Sequence, residues 1–277
     1  MMASMRISGT GEGGVRRVAA TLAAWLALVV RPPRVKESRL LPPYARLAIG
    51  ALAGLLLVGL AMLTLDAPGA AFAHSLPLWV VDAFNEITDF GKSGWFLIPI
   101  GALIVLAAIA TPAAGRFANL VLASLMVRLS YLFFAIALPS LFVTIVKRLI
   151  GRVRPSELGP YAYVPWSWKS AFASMPSGHA TTAVAAAIAI GALWPKARLP
   201  MWIYAAVIMA SRVIIEAHYL SDVIAAAFVG AFGAILVRNW FAARRLAFVT
   251  ASDGMVRALP GPSWRRVKVV ARRLIGQ

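Results

Sequence analysis

Six runs of apolar residues, each close to the length that crosses a bilayer as a helix, limit the folds open to this chain. A helix of about 20 apolar residues matches a hydrocarbon core of about 30 Å. We therefore predict an all-α, polytopic membrane protein with six transmembrane helices. They are predicted at Leu47–Leu65, Trp95–Ala110 with an extension to Ala114, Asn119–Val146, Gly178–Trp194, Met201–Ile215 and Asp222–Trp240.

The composition also separates this chain from soluble proteins. Apolar residues make up 61% of the 277 residues and charged residues 14%, whereas soluble domains have about 45–50% and about 25%. The net charge of +18 suits either nucleic acid or anionic lipid, and the apolar content favours lipid, so no nucleic-acid partner is expected. The absence of cysteine excludes a disulfide framework and a thiolate zinc site.

The distribution of basic residues predicts the orientation of the chain. Both ends are rich in Lys and Arg, whereas segment 67–94 carries three acids and one lysine. By the positive-inside rule, both termini are predicted to be cytoplasmic. We divide the chain into a basic N-terminal segment at 1–46 with an interfacial helix, a membrane domain at 47–240 and a basic tail at 241–277. The two basic ends are expected to contact anionic lipids.

The segment between the third and fourth predicted helices breaks this rule, because it is basic and lies on the predicted outer side. It holds five Lys and Arg residues against Glu157 alone. A basic cluster on this side of the membrane favours a local anionic ligand.

The first candidate for that ligand site is Lys147 with Arg154, at the end of the third predicted helix. Seven residues separate them, so they share a face for as long as the helix lasts. A guanidinium and an ammonium group together suit a dianionic phosphate. The alternative is a basic helix end that binds lipid phosphates.

The second candidate is Ser177-Gly178-His179, directly before the fourth predicted helix. A hydroxyl and free backbone N–H groups at a helix start form an anion-binding concavity, and His179 would stand beside it. The alternative is a serine N-cap with an incidental histidine.

The third candidate lies between the last two predicted helices and contains Arg212, His218 and Asp222. His218 and Asp222 are four residues apart, so the carboxylate can orient the imidazole if the segment is helical. The alternative is a helix-capping pair with an arginine at the membrane interface. Glu216 lies between Arg212 and His218 in the sequence. It could pair with Arg212 or contact a substrate head group.

Together these three segments supply the parts that phosphoryl transfer needs: cationic clamps, an oriented nucleophile and an acid for the leaving group. The acids are too scattered for a two-metal site, so the cations would take the place of a metal ion.

The spacing of these residues resembles the signature of the type 2 phosphatidic acid phosphatase (PAP2) superfamily. The chain contains Lys-x6-Arg-Pro, Pro-Ser-Gly-His and Ser-Arg-x5-His-x3-Asp in order, matching all eleven fixed positions between Lys147 and Asp222. The resemblance implies a PAP2-like helical bundle and a phosphatase that uses no metal or other cofactor.

The resemblance also implies a role for each matched residue. His218 would be the nucleophile that forms a phosphohistidine, oriented by Asp222, and His179 would protonate the leaving group and then activate water. The phosphate oxygens would be held by Lys147, Arg154, Ser177, Gly178 and Arg212.

The function expected from this resemblance is hydrolysis of a lipid phosphate in a bacterial inner membrane, at a site facing the periplasm. The substrates implied are phosphatidylglycerol phosphate, undecaprenyl pyrophosphate, phosphatidic acid or a lipid A phosphate. Two alternatives stay open: a lipid phosphotransferase on the same scaffold, and a non-catalytic protein that binds or transports anionic lipids.

Overall fold

Apolar helices make up most of the chain. The structure, a computed structural model, describes residues 10–34, 43–111, 115–157 and 159–274. Its helices are α1 (Thr10–Val30), α2 (Pro43–Thr64), α3 (Asp66–His74), α4 (Leu78–Thr88), α5 (Gly94–Ala110), α6 (Arg116–Ile150), α7 (Gly178–Leu193), α8 (Arg198–Ile214), α9 (Leu220–Ala243) and α10 (Trp264–Leu274). Strands β1 (Phe248–Thr250) and β2 (Val256–Ala258) form an antiparallel hairpin.

Each of the six predicted membrane helices is present, as α2 and α5 to α9, but six spans are not confirmed. In the described residues, four helical stretches are long and apolar enough to cross a bilayer, at Leu78–Ala110, Arg116–Ile150, Pro195–Ile214 and Leu220–Ala243. The bent pair of α2 and α3 raises the number to five if it counts as one span. Helix α7, with 16 residues, is apolar but shorter. The predicted extension of the second helix to Ala114 lies outside the described residues.

Helix α7 lies at the centre of the bundle, between α6, α8 and α9. Its sequence is rich in alanine, and most of its residues are fully buried. Small side chains allow neighbouring helices to approach closely. At Gly230 of α9, an added Cβ would lie 2.6 Å from the backbone oxygen of Thr181 in α7.

The segment after α9 packs onto the bundle. Phe248 of β1 is buried, and its ring meets that of Tyr131 in α6 edge to face, with centroids 4.6 Å apart. Val270 of α10 is buried in a cluster with residues of α5 and α6. The basic tail therefore has a defined path across one end of the helix bundle.

The contact at Gly230 predicts that Gly230→Ala destabilises the protein. The new methyl group would press on a backbone atom that cannot rotate away, and such overpacking costs about 1–3 kcal/mol. We expect the melting temperature in detergent to fall by several degrees. The matched control is Gly59→Ala, because a Cβ at Gly59 meets no atom within 4 Å. Equal melting temperatures for the two variants would contradict the prediction.

Candidate active site

A sharp turn at Gly151 brings the end of α6 back toward the bundle. Gly151 has φ +67°, and a Cβ there would lie 1.9 Å from the backbone oxygen of Val164, so only glycine fits. Because α6 ends at Ile150, the prediction that Lys147 and Arg154 share a helical face is wrong. The two residues are brought to one site by the turn and not by helical periodicity.

The segment that follows this turn is held by backbone hydrogen bonds on both sides. Val153 N–H donates to Ala162 O at 3.0 Å, and Arg154 N–H donates to Ala171 O at 3.0 Å. Ser174 N–H donates back to the carbonyl oxygen of Arg152 at 3.0 Å. These bonds fix the backbone from which Arg152 and Arg154 extend.

Arg152 is fully buried and bridges two fully buried carboxylates. Its Nη1 donates to Asp222 Oδ1 and its Nη2 to Asp66 Oδ2, each at 2.6 Å. Ser221 completes the group, because its backbone N–H and its hydroxyl both donate to Asp66. Burial alone would lower the pKa of Arg152, but Asp222 and Asp66 outweigh it and the net shift of the pKa is upward.

Asp222 also receives hydrogen bonds from two other segments. Ser174 Oγ donates to its Oδ2 at 2.5 Å and the Tyr219 backbone N–H at 2.9 Å. His218 lies outside the helix, since α9 begins at Leu220, but its Nδ1 is 3.8 Å from Asp222 Oδ2. This is an ion-pair distance and longer than a hydrogen bond. With Nδ1 directed at the carboxylate, Nε2 is the nitrogen left for another partner.

Ser177 occupies the N-cap position of α7, as its alternative interpretation predicted, but its hydroxyl makes no capping hydrogen bond. Ser177 Oγ is buried and has no hydrogen-bond partner among the described residues. A Cβ at Gly178 would meet nothing within 4 Å, so open space lies beside this helix start. Native proteins rarely leave buried hydroxyls unpaired, and the arrangement fits a site for an anion.

Three cationic side chains converge on the same place. Lys147, Arg154 and Arg212 are close enough to repel one another, and Arg212 is 94% buried. Within the described residues, no carboxylate lies within ion-pair distance of any of the three. Burial, followed by the charge of Arg148, lowers the pKa of Arg154. An anion bound beside these three partly or fully buried cations would offset their mutual repulsion.

The end of α4 supports this cluster, and no sequence pattern pointed to that contact. Thr88 Oγ1 accepts a hydrogen bond from Arg212 Nη1 at 2.7 Å and one from Ser211 Oγ at 3.0 Å. At Gly91, in the short turn after α4, a Cβ would lie 3.0 Å from the ring of His179. The turn therefore packs directly on His179 and limits how that ring can move.

Glu216 does not pair with Arg212, which corrects the pairing considered from the sequence. Its Oε1 lies 3.2 Å from Nδ1 of His74, at the end of α3. Arg212 instead bonds Thr88, as described above.

The structure thus brings together all eight candidate site residues at one end of α6, α7 and α9. It adds Asp66, Arg152 and Ser174 as a buried support. In the described part of the chain, no three His, Cys, Asp or Glu side chains form a metal-ligand set.

Comparison with known proteins finds one matching family model and two related phosphatases. Residues 128–246 match the model of the PAP2 superfamily. A lipid A 1-phosphatase of Rhizobium johnstonii is 37% identical over 200 residues, which cover 70% of this chain and 81% of that protein. A lipid A 1-phosphatase of Rhizobium etli is 35% identical over 202 residues, covering 71% of this chain and 86% of that protein.

A solved structure also aligns with this fold. It is described as the first transmembrane PAP2 type phosphatidylglycerolphosphate phosphatase from Bacillus subtilis. The alignment covers 81% of this chain and 95% of that one, with a TM-score of 0.46 and 16% identity.

The buried bridge predicts a large stability loss for Asp66→Asn. The substitution keeps the shape of the side chain but removes one of the two buried negative charges that pair with Arg152. Breaking a buried pair costs about 3–5 kcal/mol. The matched control is Asp253→Asn. Asp253 pairs with Arg257 at the same 2.6 Å, but the two side chains are 41% and 62% exposed, and solvent screens such exposed pairs so that they contribute little to stability.

Thermal unfolding of both variants in detergent tests this difference. We expect a much larger fall in melting temperature for Asp66→Asn. Equal falls would mean that the buried bridge contributes no more than a surface pair.

The burial of His218 predicts an imidazole that stays neutral in mild acid. Burial lowers the pKa of His218 to about 4, although Asp222 opposes this shift. Since the lowered pKa favours the neutral form, the ring should gain its proton near pH 4 and not near 6.5. Ring ¹⁵N spectra of the histidine-labelled protein report this directly, because the chain has three histidines. The signal missing in His218→Ala identifies the residue; a midpoint above pH 6 would contradict the prediction.

Proposed function

Since this chain belongs to the PAP2 superfamily and is a membrane phosphatase for lipid phosphates, we propose that it removes the 1-phosphate of lipid A through a phosphohistidine intermediate. The observation that carries the proposal is the convergence, at one end of the helix bundle, of two histidines and three cations that have no carboxylate within ion-pair distance among the described residues. The identity to two lipid A 1-phosphatases favours lipid A over phosphatidylglycerol phosphate, undecaprenyl pyrophosphate and phosphatidic acid.

In the first step, Nε2 of His218 attacks the phosphorus atom and the bond to the lipid oxygen breaks. His179 donates a proton to that oxygen, so the lipid leaves as a neutral hydroxyl compound. Asp222, on the Nδ1 side of the ring, stabilises the positive charge that develops on His218.

In the second step, water attacks the phosphohistidine. His179, now neutral, accepts a proton from the water molecule, and the bond between nitrogen and phosphorus breaks. Inorganic phosphate leaves and both histidines return to their starting state.

The cations and the start of α7 would bind the phosphate throughout. Lys147, Arg154 and Arg212 lie within electrostatic reach of one another, and each has no carboxylate partner among the described residues. The hydroxyl of Ser177 and the N–H of Gly178 would complete the set of donors for the non-bridging oxygens. In this proposal they supply the charge that a metal ion supplies in other phosphatases.

The Arg152 bridge positions the nucleophile in this mechanism. It holds Asp222 from the side opposite His218 and so fixes the carboxylate that orients the imidazole. Arg152 and Asp66 touch no substrate in this scheme and act through Asp222.

We also propose that the protein lies in the bacterial inner membrane with both termini in the cytoplasm and the site facing the periplasm. The basic ends and the acidic 67–94 segment support this orientation. Trp166 and Trp168, on the site side of α6, are 76% and 83% exposed and suit a membrane boundary. Anionic lipids are the proposed partners of the basic ends.

Phosphate release in detergent with EDTA tests the proposal on lipid A, phosphatidylglycerol phosphate, undecaprenyl pyrophosphate and phosphatidic acid. We expect fastest release from lipid A, with mass spectrometry showing loss of its 1-phosphate. His218→Ala should reduce kcat at least about a thousandfold, because no other group replaces the nucleophile. Quenching the wild type in alkaline denaturant, in which the nitrogen–phosphorus bond of phosphohistidine survives, should trap label from ³²P-lipid on the protein.

The matched control is His74→Ala, since the side chain of His74 is 85% exposed and outside the cation cluster. It should keep near-normal kcat. Preferred release from another lipid would overturn the substrate, full activity of His218→Ala would overturn the nucleophile, and phosphate found only on an added alcohol would indicate a phosphotransferase.

A further inference from the structure

The turn that joins α4 to α5, residues 88–92, is built against two of the candidate catalytic residues. At its start, Thr88 Oγ1 accepts a hydrogen bond from Arg212 Nη1 at 2.7 Å. Near its end, a Cβ at Gly91 would lie 3.0 Å from Cδ2 of His179 and 3.1 Å from its Cβ. The backbone of this turn is therefore held at the site from both sides.

Lys92 is the residue of this turn that is positioned to reach a bound phosphate. It follows Gly91, and consecutive Cα atoms are about 3.8 Å apart, so its flexible four-carbon side chain begins close to the His179 ring. The charge of Lys92 also lies within electrostatic reach of His179. Its backbone is fixed, because its N–H donates to Asp89 O at 3.1 Å and its carbonyl oxygen accepts from Trp95 N–H at 3.2 Å.

The position of this lysine in the sequence also sets it apart. Lys92 is the only lysine or arginine between Arg46 and Arg116, and the segment 67–94 around it is otherwise acidic. The positive-inside rule does not account for a basic residue on the predicted outer side. Its one ion pair in the described part of the chain is with Asp89.

The pair of Asp89 and Lys92 is one that can exchange partners at little cost. Lys92 Nζ is 2.8 Å from Asp89 Oδ1, but the side chains of Lys92 and Asp89 are 57% and 61% exposed. Solvent screens such a pair, so it contributes little to stability. Asp89 lies within electrostatic reach of both Arg212 and His179. Its carboxylate therefore opposes a phosphate that approaches these residues.

We propose that Lys92 is a further substrate-binding residue, which exchanges the carboxylate of Asp89 for an oxygen of the substrate's phosphate beside His179. Asp89 holds the lysine at the site until the substrate binds. A dianionic phosphate is a stronger partner for an ammonium group than one solvated carboxylate, because the three cations of the site hold it in place. The proposal rests on the phosphatase function proposed above and adds one residue to its phosphate donors.

The test is an isothermal titration of the full-length protein in non-ionic detergent with inorganic phosphate. It compares Asp89→Asn with Asp89→Asn/Lys92→Gln, because both variants lack the carboxylate and they differ only in the charge of the lysine. A hydrogen bond from a charged group supports an affinity difference of about tenfold, so we expect the Kd of the double variant to be about ten times higher. Equal Kd values would overturn the proposal.

The single variants test the exchange itself. Asp89→Asn should lower the Kd of the wild type about two- to threefold, because the lysine is released and the nearby negative charge is gone. The same substitution should help less in Lys92→Gln, where Asp89 has no lysine to compete for. An equal gain in both proteins would overturn the exchange, since Asp89 would then act by general repulsion alone.

The matched control is Lys169→Gln, which removes the same charge from an exposed lysine in the segment after α6. Its Kd for phosphate should differ from that of the wild type by less than about twofold, because exposed charges away from the ligand are screened by solvent. An equal rise for Lys169→Gln and Lys92→Gln would overturn the proposal, because it would indicate diffuse attraction to a basic surface.

Turnover of a lipid phosphate gives a second readout. Lys92→Gln should raise KM with little change in kcat, because the lysine binds the phosphate but takes no part in proton or phosphoryl transfer. If no lipid released phosphate, the proposed function would fail, whereas the titration with inorganic phosphate would still test Lys92. Normal release with unchanged KM and Kd in Lys92→Gln would overturn the role of Lys92 alone.

Discussion

The guanidinium of Arg152 is the interaction on which the rest of the site depends. Two buried carboxylates, Asp66 and Asp222, would each be too costly in the interior without a positive partner. Arg152 neutralises both at 2.6 Å and so joins the break between α2 and α3 to the start of α9. The carboxylate beside His218 consequently has a fixed position, set by atoms that lie far apart in the sequence.

The Arg152 bridge also explains why three other cations at the site have no acidic partner nearby. The carboxylates nearest the site are already committed to Arg152 and to hydroxyl and backbone donors, so Lys147, Arg154 and Arg212 find no acid to pair with among the described residues. The buried bridge is neutralised, and the cation cluster of Lys147, Arg154 and Arg212 is left positive. That separation of charge gives an anion a place to bind without competition from the protein's own acids.

The sequence predicted those features of the structure that depend on residues close together along the chain. The six apolar helices follow from runs of apolar residues, and the structure contains each of them, although six membrane spans are not confirmed. His218 and Asp222 do lie near each other, but through the turn before α9, since His218 lies outside that helix. The sequence could not predict the roles of Asp66 or Thr88, whose hydrogen bonds join residues 86 and 124 positions away along the chain. The same limit explains the errors: helical spacing for Lys147 and Arg154 ignored the turn at Gly151, and Glu216 found a partner, His74, from a distant helix.

The length of α7 bears on how deep the proposed chemistry lies in the bilayer. Its 16 residues rise about 24 Å, roughly 6 Å less than the thickness of the hydrocarbon core. If Trp194 lies at one membrane boundary, a position that tryptophan favours, the Ser177–Gly178 end stops short of the other boundary. In that placement the proposed phosphate site would be recessed beneath the membrane surface. An amphiphile could then present its phosphate by sinking slightly, with its acyl chains still in the hydrocarbon, instead of being lifted into water.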